Sequence, residues 1–408
     1  MSDPTSMPVT LRSVGLRIYL PGLVYGIGQG AIAGIIALQA HALGASAATA
    51  GLIVALLGIG GLLGDLPAGV LVGRIGERRA MIAAAGVMTL GATACVVAPH
   101  ALLLGAGVLL IGFAGAVWML ARQAYVAETV PFELRARALS ALGGVARIGM
   151  FVGPFLGAGA IKLLGLDGPF LLFIGLIVTA GITLLALPDP PGADDRGQGS
   201  IQGVLQMARE SLPVLRTLGV GVVLVGAIRA SRQAVIPLWG SHLDLDPATI
   251  TVIFGISGAV DMLLFYPAGA VMDRRGRTWV AVPSMAVLGL SMVLMPLSTG
   301  VLTLAAVAVV MGFGNGLGSG LVMTLGADLS PPGRRAEFLG AWRLCGDLGN
   351  CSGPLALSAM ISAVTLGPAI AIMGGLGWVG AGLLGYWIPR TIPGRDGRTR
   401  KPSRSRVR

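Results

Sequence analysis

The chain has 408 residues, of which 54% are hydrophobic and only 12% are charged, and its mean hydropathy is +0.83. Soluble domains carry about 25% charged residues, so this composition excludes a soluble globular protein. The net charge of +11 does not indicate a nucleic-acid-binding protein, because the basic residues lie in short clusters between long apolar runs.

Apolar runs that are long enough to cross a bilayer follow one another along the chain. The runs are too long for the strands of a barrel, whereas a helix satisfies its own backbone groups in hydrocarbon. The sequence therefore predicts an all-α membrane protein with twelve transmembrane helices. These spans 1 to 12 are predicted at residues 16–40, 47–73, 79–98, 101–127, 137–163, 168–187, 213–239, 247–273, 279–298, 301–327, 336–363 and 367–388.

The basic residues predict the orientation of the spans. With both termini in the cytoplasm, 23 Arg and Lys residues lie on the cytoplasmic side and only Lys162 lies outside. The heavy use of Arg and Ala favours a bacterial source, so we expect a multi-pass protein of a bacterial cell membrane. The predicted units are an N-terminal six-helix half (1–187), a cytoplasmic linker (188–212) with a short interfacial helix, a C-terminal six-helix half (213–389) and a basic cytoplasmic tail (390–408).

The chain repeats itself with an offset of 200 residues. Pro67-Ala68-Gly69 recurs as Pro267-Ala268-Gly269, and Gly153-Pro154 recurs as Gly353-Pro354. Spans 1–6 and 7–12 are therefore two copies of one six-helix unit. Two pseudo-symmetric halves around a central site are typical of secondary transporters that work by alternating access.

The loop after span 8 carries a motif that connects the repeat with a known family. Gly269-Ala-Val-Met-Asp273-Arg274-Arg-Gly276 resembles the cytoplasmic-loop signature of the major facilitator superfamily, and this resemblance implies the major facilitator fold. The first copy, Gly69-Val-Leu-Val-Gly73-Arg74-Ile-Gly76, lacks the acid of the signature. In that family the acid helps to hold the cytoplasmic side closed. The resemblance therefore implies a gating role for Asp273, with Glu77 as the candidate substitute in the first half.

A second motif lies in span 5 and recurs in span 11. Gly149-x-x-x-Gly153-Pro154 and its copy Gly349-x-x-x-Gly353-Pro354 resemble the motif of the family's antiporters, especially of drug exporters. The match is partial, because Ser140 and Ala158 stand where glycines are common and the early part of span 4 lacks the family's basic residue. The resemblance implies antiport. Packing alone is the alternative, because GxxxG lets helices touch and proline allows a bend.

Ionisable residues inside spans are costly and usually face a bundle interior or a cavity. In the fold of the family, span 2 packs against span 11 and span 5 packs against span 8. We therefore predict two ion pairs between the halves, Asp65–Arg343 and Asp261–Arg147. Such a pair either couples proton movement to transport or is permanent and structural. Asp347, four residues after Arg343, either pairs with it along the helix or remains available for a proton.

Other polar residues in the spans are candidates for a central cavity. Arg229 in span 7 is equivalent to Gln29 in span 1, and Arg232 follows about one turn later. These side chains are candidates to attract an anionic substrate or to contact an internal acid. The neutral ones are explained equally well by helix–helix hydrogen bonding. The residues expected in the cavity are Gln29, Arg122, Arg229, Arg232, Gln233 and Asn315.

The sequence lacks the patterns of other chemistries. The three cysteines and three histidines lack metal-ligand spacing, and no phosphate-binding loop or nucleophile–base set is present. We expect no enzyme activity, no cofactor, no metal and no nucleic-acid partner.

The function predicted from the sequence is secondary transport by a monomer in the lipid bilayer, with a small-molecule substrate and protons as partners. Within this class we predict proton-coupled efflux of small amphipathic molecules. Two alternatives remain open, namely a metabolite or sugar transporter or uniporter, and a membrane sensor or assembly protein that transports nothing.

Overall fold

The computed structural model describes residues 11–130, 132–185, 201–331 and 334–392. These residues are almost entirely helical, and a helix lies at each of the twelve predicted positions, which confirms the all-α prediction. Spans 1 to 6 are Leu11–Ala33 with Ile35–Ala42, Ala47–Ile75, Glu77–Val96, Ala101–Thr129, Phe132–Leu164 and Gly168–Leu185. Spans 7 to 12 are Val220–His242, Pro247–Arg275, Thr278–Leu294, Val301–Leu317 with Leu321–Leu329, Arg335–Ala363 and Leu366–Thr391.

The apolar character of the helices fits a membrane protein. Within the described residues, nine segments are long and apolar enough to cross a bilayer, and span 1 makes a tenth if its two helices, which bend by 41°, form one crossing. One of the nine, Ala141–Leu185, contains spans 5 and 6, which are separated by the turn Gly165–Asp167. Span 11 is less apolar because its middle carries Arg343, Asp347 and Asn350. The count of twelve crossings stays a prediction.

The two halves share one internal packing scheme. In the N-terminal half, spans 1 and 5, 2 and 4, 3 and 4, and 3 and 6 pack together. The equivalent pairs of the other half are 7 and 11, 8 and 10, 9 and 10, and 9 and 12. The close approach of spans 1 and 5 requires a glycine at position 149, because a Cβ there would lie 2.6 Å from the backbone nitrogen of Ile27. The repeat in the sequence is therefore also a repeat of tertiary structure.

The halves meet along spans 2 and 11 and along spans 5 and 8, as the family resemblance implies. At one end, Ser358 donates a hydrogen bond of 2.6 Å to the carbonyl of Ala48, and a Cβ at Gly58 would lie 3.1 Å from the carbonyl oxygen of Asn350. At the other end, a Cβ at Gly69 would meet no atom of the described residues within 4 Å. The halves are thus closed at the end predicted to face outside and separate towards the end predicted to be cytoplasmic.

The structure also contains a break that the hydropathy pattern does not predict. Span 10 is interrupted at Gly318–Gly320, and Gly320 has a φ of 81°, which favours glycine. The break exposes backbone carbonyls and turns a small polar side chain, that of Ser319, into the space between the halves.

The predicted linker helix is present as Ile201–Glu210 and packs against the start of span 11. Residues 188–200 of the linker and residues 393–408 of the tail lie outside the described part of the chain. The boundaries of these two units therefore stay predictions.

Candidate transport site in two related cavities

Two adjoining cavities lie where the halves meet, and both include Asn350. One has a volume of about 290 Å³ and is lined by spans 5, 7, 8, 10 and 11. The other has a volume of about 200 Å³ and is lined by spans 1, 2, 4 and 11. We call the first the cationic cavity, because its charged residues are Arg147, Arg229, Arg232 and Asp261. We call the second the acidic cavity, because its charged residues are Asp65, Arg343 and Asp347.

The 200-residue repeat relates the two cavities to each other. Eight positions that line the cationic cavity have their equivalents in the lining of the acidic one. These pairs are Arg147 and Asp347, Met150 and Asn350, Arg229 and Gln29, Gly258 and Gly58, Asp261 and Gly61, Met262 and Leu62, Asn315 and Gly115, and Ser319 and Met119. The two cavities therefore have equivalent positions in the fold, but one lining has an excess of positive charge and the other an excess of negative charge.

The cationic cavity is organised around the break in span 10. Arg229 donates from Nε to Oδ1 of Asn315 at 2.8 Å and from Nη1 to the carbonyl of Gly318 at 3.3 Å. Arg147 approaches from the other half and donates from Nη1 to Oγ of Ser319 at 2.8 Å. Because Gly318 and Ser319 are consecutive, the two guanidinium groups converge on one turn of the chain.

Asp261 has its partners within its own half, which corrects the predicted Asp261–Arg147 ion pair. Asn315 donates to Oδ2 of Asp261 at 2.6 Å, and Nη2 of Arg232 lies 3.9 Å from the same oxygen. Arg147 instead contacts Ser319 and stacks on the ring of Phe265, with Cζ 3.7 Å from the ring centroid. The expected packing of span 5 against span 8 correctly indicated that Arg147 reaches the other half. The prediction overlooked that spans 7 and 10 bring donors closer to Asp261.

The acidic cavity contains the other predicted contact between the halves. Nη2 of Arg343 lies 3.4 Å from Oδ1 of Asp65, across the interface of spans 2 and 11. The same guanidinium reaches Asp347 one turn along its own helix, with 3.5 Å between Nε and Oδ2. Two carboxylates therefore share one Arg, and their side chains are only 19% and 24% exposed. With all three groups ionised, this cavity carries one excess negative charge.

Other residues expected in the central cavity fall into two groups. Gln29 lines the acidic cavity and donates to the hydroxyl of Tyr25 at 3.2 Å, whereas Gln233 lines the cationic cavity. Arg122 is placed differently, because its side chain is only 4% exposed and lines neither cavity. Its Nη1 lies 2.7 Å from the Cβ position of Gly22. Because Gly22 has no side chain, the guanidinium of Arg122 fits between helices inside the N-terminal half. This position corrects the expectation that Arg122 lines the central cavity.

The antiporter-like motifs lie at the contacts within each half. Gly149 and Gly153 face the backbone of span 1, and Gly349 and Gly353 face that of span 7. Pro154 also lines the cationic cavity, while Pro354 lies inside the span 11 helix. The geometry thus accounts for these residues by helix packing, and their relation to transport direction stays a prediction.

The gating motifs lie at the ends of spans 2 and 8. Gly76 and Gly276 terminate these helices with φ of 84° and 95°, and Arg74 and Arg274 lie in the last turns. Cβ atoms at Gly69, Gly73 and Gly269 would have no neighbour within 4 Å. Asp273 is 81% exposed and lies 4.0 Å from Arg277, which binds Asp328 at 2.8 Å. Glu77, the candidate substitute, is instead 1% exposed at the start of span 3.

Sequence reasoning missed Ser319 and Phe265, both of which contact Arg147. The signal for Ser319 was present in the alternating glycines from Gly312 to Gly320, since glycine destabilises a helix interior. Phe265 offers no such signal, because one aromatic residue in an apolar span does not reveal which neighbour it meets.

Comparisons with known proteins agree with this architecture. Among solved structures, the chain is similar to the nucleoside transporter NupG with a TM-score of 0.72, 14% identity and coverage of 91% of this chain and 99% of that one. It is similar to a D-xylose-proton symporter with a TM-score of 0.72, 17% identity and coverage of 95% and 99%. It is also similar to a bacterial homologue of the human lysosomal transporter Spinster, solved in an inward-facing conformation, with a TM-score of 0.73, 13% identity and coverage of 93% and 95%.

Sequence comparison identifies the family itself. YwtG of Bacillus subtilis (strain 168), whose name describes a metabolite transport protein, is 33% identical over 123 residues. This match covers 30% of the chain and only 27% of the length of that relative. The family profile covers far more of the chain, since it matches residues 18–354 and again residues 218–407. The second match begins 200 residues after the first, which is the offset of the internal repeat. The chain therefore belongs to the Major Facilitator Superfamily and is a membrane transporter rather than an enzyme.

Proposed function

We propose that this transporter is proton-coupled and exports small amphipathic molecules by alternating access. The observation that carries the proposal is the pair of related cavities with opposite charge between the two halves. One cavity offers a site for a proton and the other a site for a solute. Both are lined by both halves, so occupancy of either one acts on the interface that has to open and close.

The acidic cavity supports the proton site. Asp65 and Asp347 share the single guanidinium of Arg343, so one carboxylate charge remains without a full counter-charge in a largely enclosed place. Binding of one proton removes this excess charge. A proton on Asp65 also weakens its attraction to Arg343, which joins span 2 to span 11. Proton binding thereby favours separation of the two helices, which is a population shift between two states of the interface.

The lining of the cationic cavity supports an amphipathic solute. Met150, Phe151, Phe254 and Met262 provide apolar surface, and the guanidinium groups and Asn315 provide polar contacts. Export rests on the antiporter-like motif at Gly149. The fold leaves direction open, since a protein of similar fold is a symporter.

The proton site is tested by Asp65→Asn in proteoliposomes. We expect the variant to lose accumulation driven by a pH gradient while it keeps counterflow, because counterflow needs substrate movement without net proton transfer. The matched control is Asp244→Asn, which removes an exposed carboxylate at a φ of 53° that Asn also tolerates. Undiminished pH-driven accumulation by Asp65→Asn would refute the proton site.

The direction is tested by imposing the pH gradient in both senses on vesicles of defined protein orientation. If the protein exports solute in exchange for protons, acidifying the side predicted to face outside should drive solute from the predicted cytoplasmic side to the outer side. Uptake under the same gradient would instead indicate symport.

A second candidate, transport of a metabolite, is favoured by the resemblance to YwtG over part of the chain. Counterflow with sugars and nucleosides beside amphipathic compounds separates the two candidates. Counterflow with any of these solutes argues against a membrane sensor that transports nothing.

A further inference from the structure

We infer that the cationic cavity is an anion site, so that the substrate of this transporter is a small amphipathic organic anion whose charged group lies between Arg147 and Arg229. This inference rests on the proposed function for the transport step, but the binding it describes can be tested alone. It follows from charge, from geometry and from the shape of the apolar lining.

The charges of the cavity are unbalanced. It contains three Arg side chains and one Asp, and that Asp is bound by Arg232 and Asn315. Within the described residues, no acidic side chain lies within 4.0 Å of Arg147 or Arg229, whose partners are a hydroxyl, an amide, a carbonyl and an aromatic ring. Asp261 attracts these two guanidinium groups only from a longer distance, so three cations share one carboxylate and the cavity keeps an excess of positive charge. Excess charge at membrane depth is costly and is usually functional.

The two guanidinium groups are also held in place for a shared ligand. Arg147 is fixed by Ser319 and by stacking on Phe265, and Arg229 is fixed by Asn315 and the carbonyl of Gly318. Each guanidinium has five N–H donors, and these bonds occupy only one donor of Arg147 and two of Arg229. The remaining donors are suited to a carboxylate or phosphate, which an Arg binds with two parallel hydrogen bonds.

The remaining lining limits the rest of the ligand. Phe151, Phe254 and Met262 form an apolar wall in a cavity of about 290 Å³. A small aromatic or aliphatic body fits this space and finds apolar partners in its lining. The cavity therefore matches a molecule with one anionic end and one apolar end.

The position of the site connects it to the transport cycle. Arg147 belongs to the N-terminal half and Arg229 to the C-terminal half. An anion between them neutralises their mutual repulsion and draws the halves together at this level. The equivalent positions in the acidic cavity are Asp347, whose carboxylate repels an anion, and the neutral Gln29, so the site is specific to one of the two related cavities.

The test measures binding to the purified full-length protein in detergent, without any gradient. The probes are 3-phenylpropionate, octanoate and phenyl phosphate, together with 3-phenylpropionamide and 3-phenylpropylamine as neutral and cationic analogues of the first. We expect at least one anion to bind, by calorimetry and by an increase in melting temperature. We expect the neutral amide and the cationic amine to bind at least tenfold more weakly than each anion that binds. Amine binding that equals or exceeds carboxylate binding, or no binding by any of the three anions, would overturn the inference.

The variants Arg229→Gln and Arg147→Gln locate the site. Gln is the natural residue at position 29, the equivalent of position 229, and it retains the ability to donate to Asn315. Each variant should weaken anion binding at least tenfold. The charge-matched control is Arg390→Gln, which removes an exposed cation at the end of span 12 and should leave affinity unchanged. If both cavity variants bind anions within twofold of the wild type, the anion lies elsewhere and the inference is wrong.

The variant Asp65→Asn separates this inference from the proposed function. It should lose pH-driven transport and still bind the anion, since it leaves the cationic cavity intact. Anion binding without proton-driven transport by the wild type would uphold the site and refute the coupling. Proton-driven transport of neutral solutes, with no binding of the three anions, would support the coupling and refute the anion site.

Discussion

Asp261 illustrates how a single side chain changes role with its partner. On the sequence it is a candidate for an ion pair between the halves, but in the structure it accepts a 2.6 Å hydrogen bond from Asn315 and lies 3.9 Å from Arg232. Both partners belong to the C-terminal half, and Asp261 acts on Arg147 of the other half only electrostatically from a longer distance. Its effect is to reduce the positive charge of the cationic cavity. The contact that we propose to be proton-sensitive is instead Asp65 with Arg343.

We therefore expect Asp261→Asn to keep pH-driven transport and to bind anions several-fold more tightly. The substitution removes the single negative charge of the cavity, which competes with a bound anion for the guanidinium groups. The measurement is calorimetric titration with 3-phenylpropionate beside a transport assay under a pH gradient. Loss of pH-driven transport in this variant, with the protein still folded, would show that Asp261 carries the coupling after all.

At the scale of the elements, span 5 shows why the antiporter-like motif needs its glycines. Gly149 faces the backbone of span 1, whereas an added Cβ at Gly159 on the same helix would have open space around it. The two positions differ in their neighbours and not in their helical conformation. The motif thus serves the contact of spans 1 and 5 whatever its relation to antiport.

Gly149→Ala and Gly159→Ala should have opposite effects on stability. A methyl group at position 149 has to displace span 1, and overpacking of this kind costs about 1–3 kcal/mol. At position 159 alanine fits and favours the helix over glycine by about 0.5–1 kcal/mol. Thermal unfolding of the two purified variants in detergent measures the difference. Equal melting temperatures would contradict the packing interpretation.

The linker helix Ile201–Glu210 is attached to the start of span 11 by a pair that responds to pH. Gln206 donates to Glu210 at 2.9 Å, and Arg334 lies 2.6 Å from its other carboxylate oxygen. The hydrogen bond from Gln206, and to a smaller extent the contact with Arg334, hold the pKa of Glu210 below its usual value. A lowered pKa means that the attachment is fully present above the pKa of a free Glu, about 4.3, and is lost as the pH falls through the lower value of the folded protein.

We expect Glu210→Gln to speed hydrogen exchange in residues 201–210 by about twofold at pH 7, a small effect because both side chains are exposed. As the pH falls through the lowered pKa of Glu210, the wild type should come to behave like the variant, once intrinsic exchange rates are taken into account. A difference that persists at low pH would mean that the carboxylate does not carry the attachment.

At the scale of the whole molecule, the contact between the halves follows a gradient along span 2. Gly51 and Gly58 lie against span 11, and Asp65 contacts Arg343 farther along the helix. At Gly69, an added Cβ would meet no atom of the described residues within 4 Å. With the predicted orientation, this arrangement is closed to the outside and open to the cytoplasm. Asp273 is 81% exposed in this conformation. The gating role that the family resemblance implies for Asp273 stays a prediction, which concerns the opposite conformation.

A disulfide between positions 51 and 358 should lock this conformation. A Cβ at Gly51 would lie 3.5 Å from the Cβ of Ser358, which is within the range of a disulfide. We expect Gly51→Cys with Ser358→Cys, in a chain without Cys95, Cys345 and Cys351, to cross-link on oxidation and to stop counterflow until a reductant is added. Gly51→Cys alone is the control. Full counterflow by the cross-linked protein would show that this end does not have to open.

The sequence by itself determined the helical architecture, the duplication and one contact between the halves. Hydropathy and an offset of 200 residues are properties of the chain read one residue at a time, so they indicate which residues are helical and which positions are equivalent. Asp65 and Arg343 were paired by combining their depth along the helices, which follows from their numbers, with the packing of span 2 against span 11 that the family resemblance implies.

Only the tertiary structure decided which partner each buried charge takes and where the two cavities lie. A hydrogen bond requires its two heavy atoms to lie within about 3.2 Å of each other, so the partners of Asp261 and Arg147 depend on positions finer than the register of a helix. The break at Gly318–Gly320 gave the guanidinium groups of Arg147 and Arg229 a common turn to bind. No local pattern contains this convergence, because it depends on how four helices from two halves pack at one point.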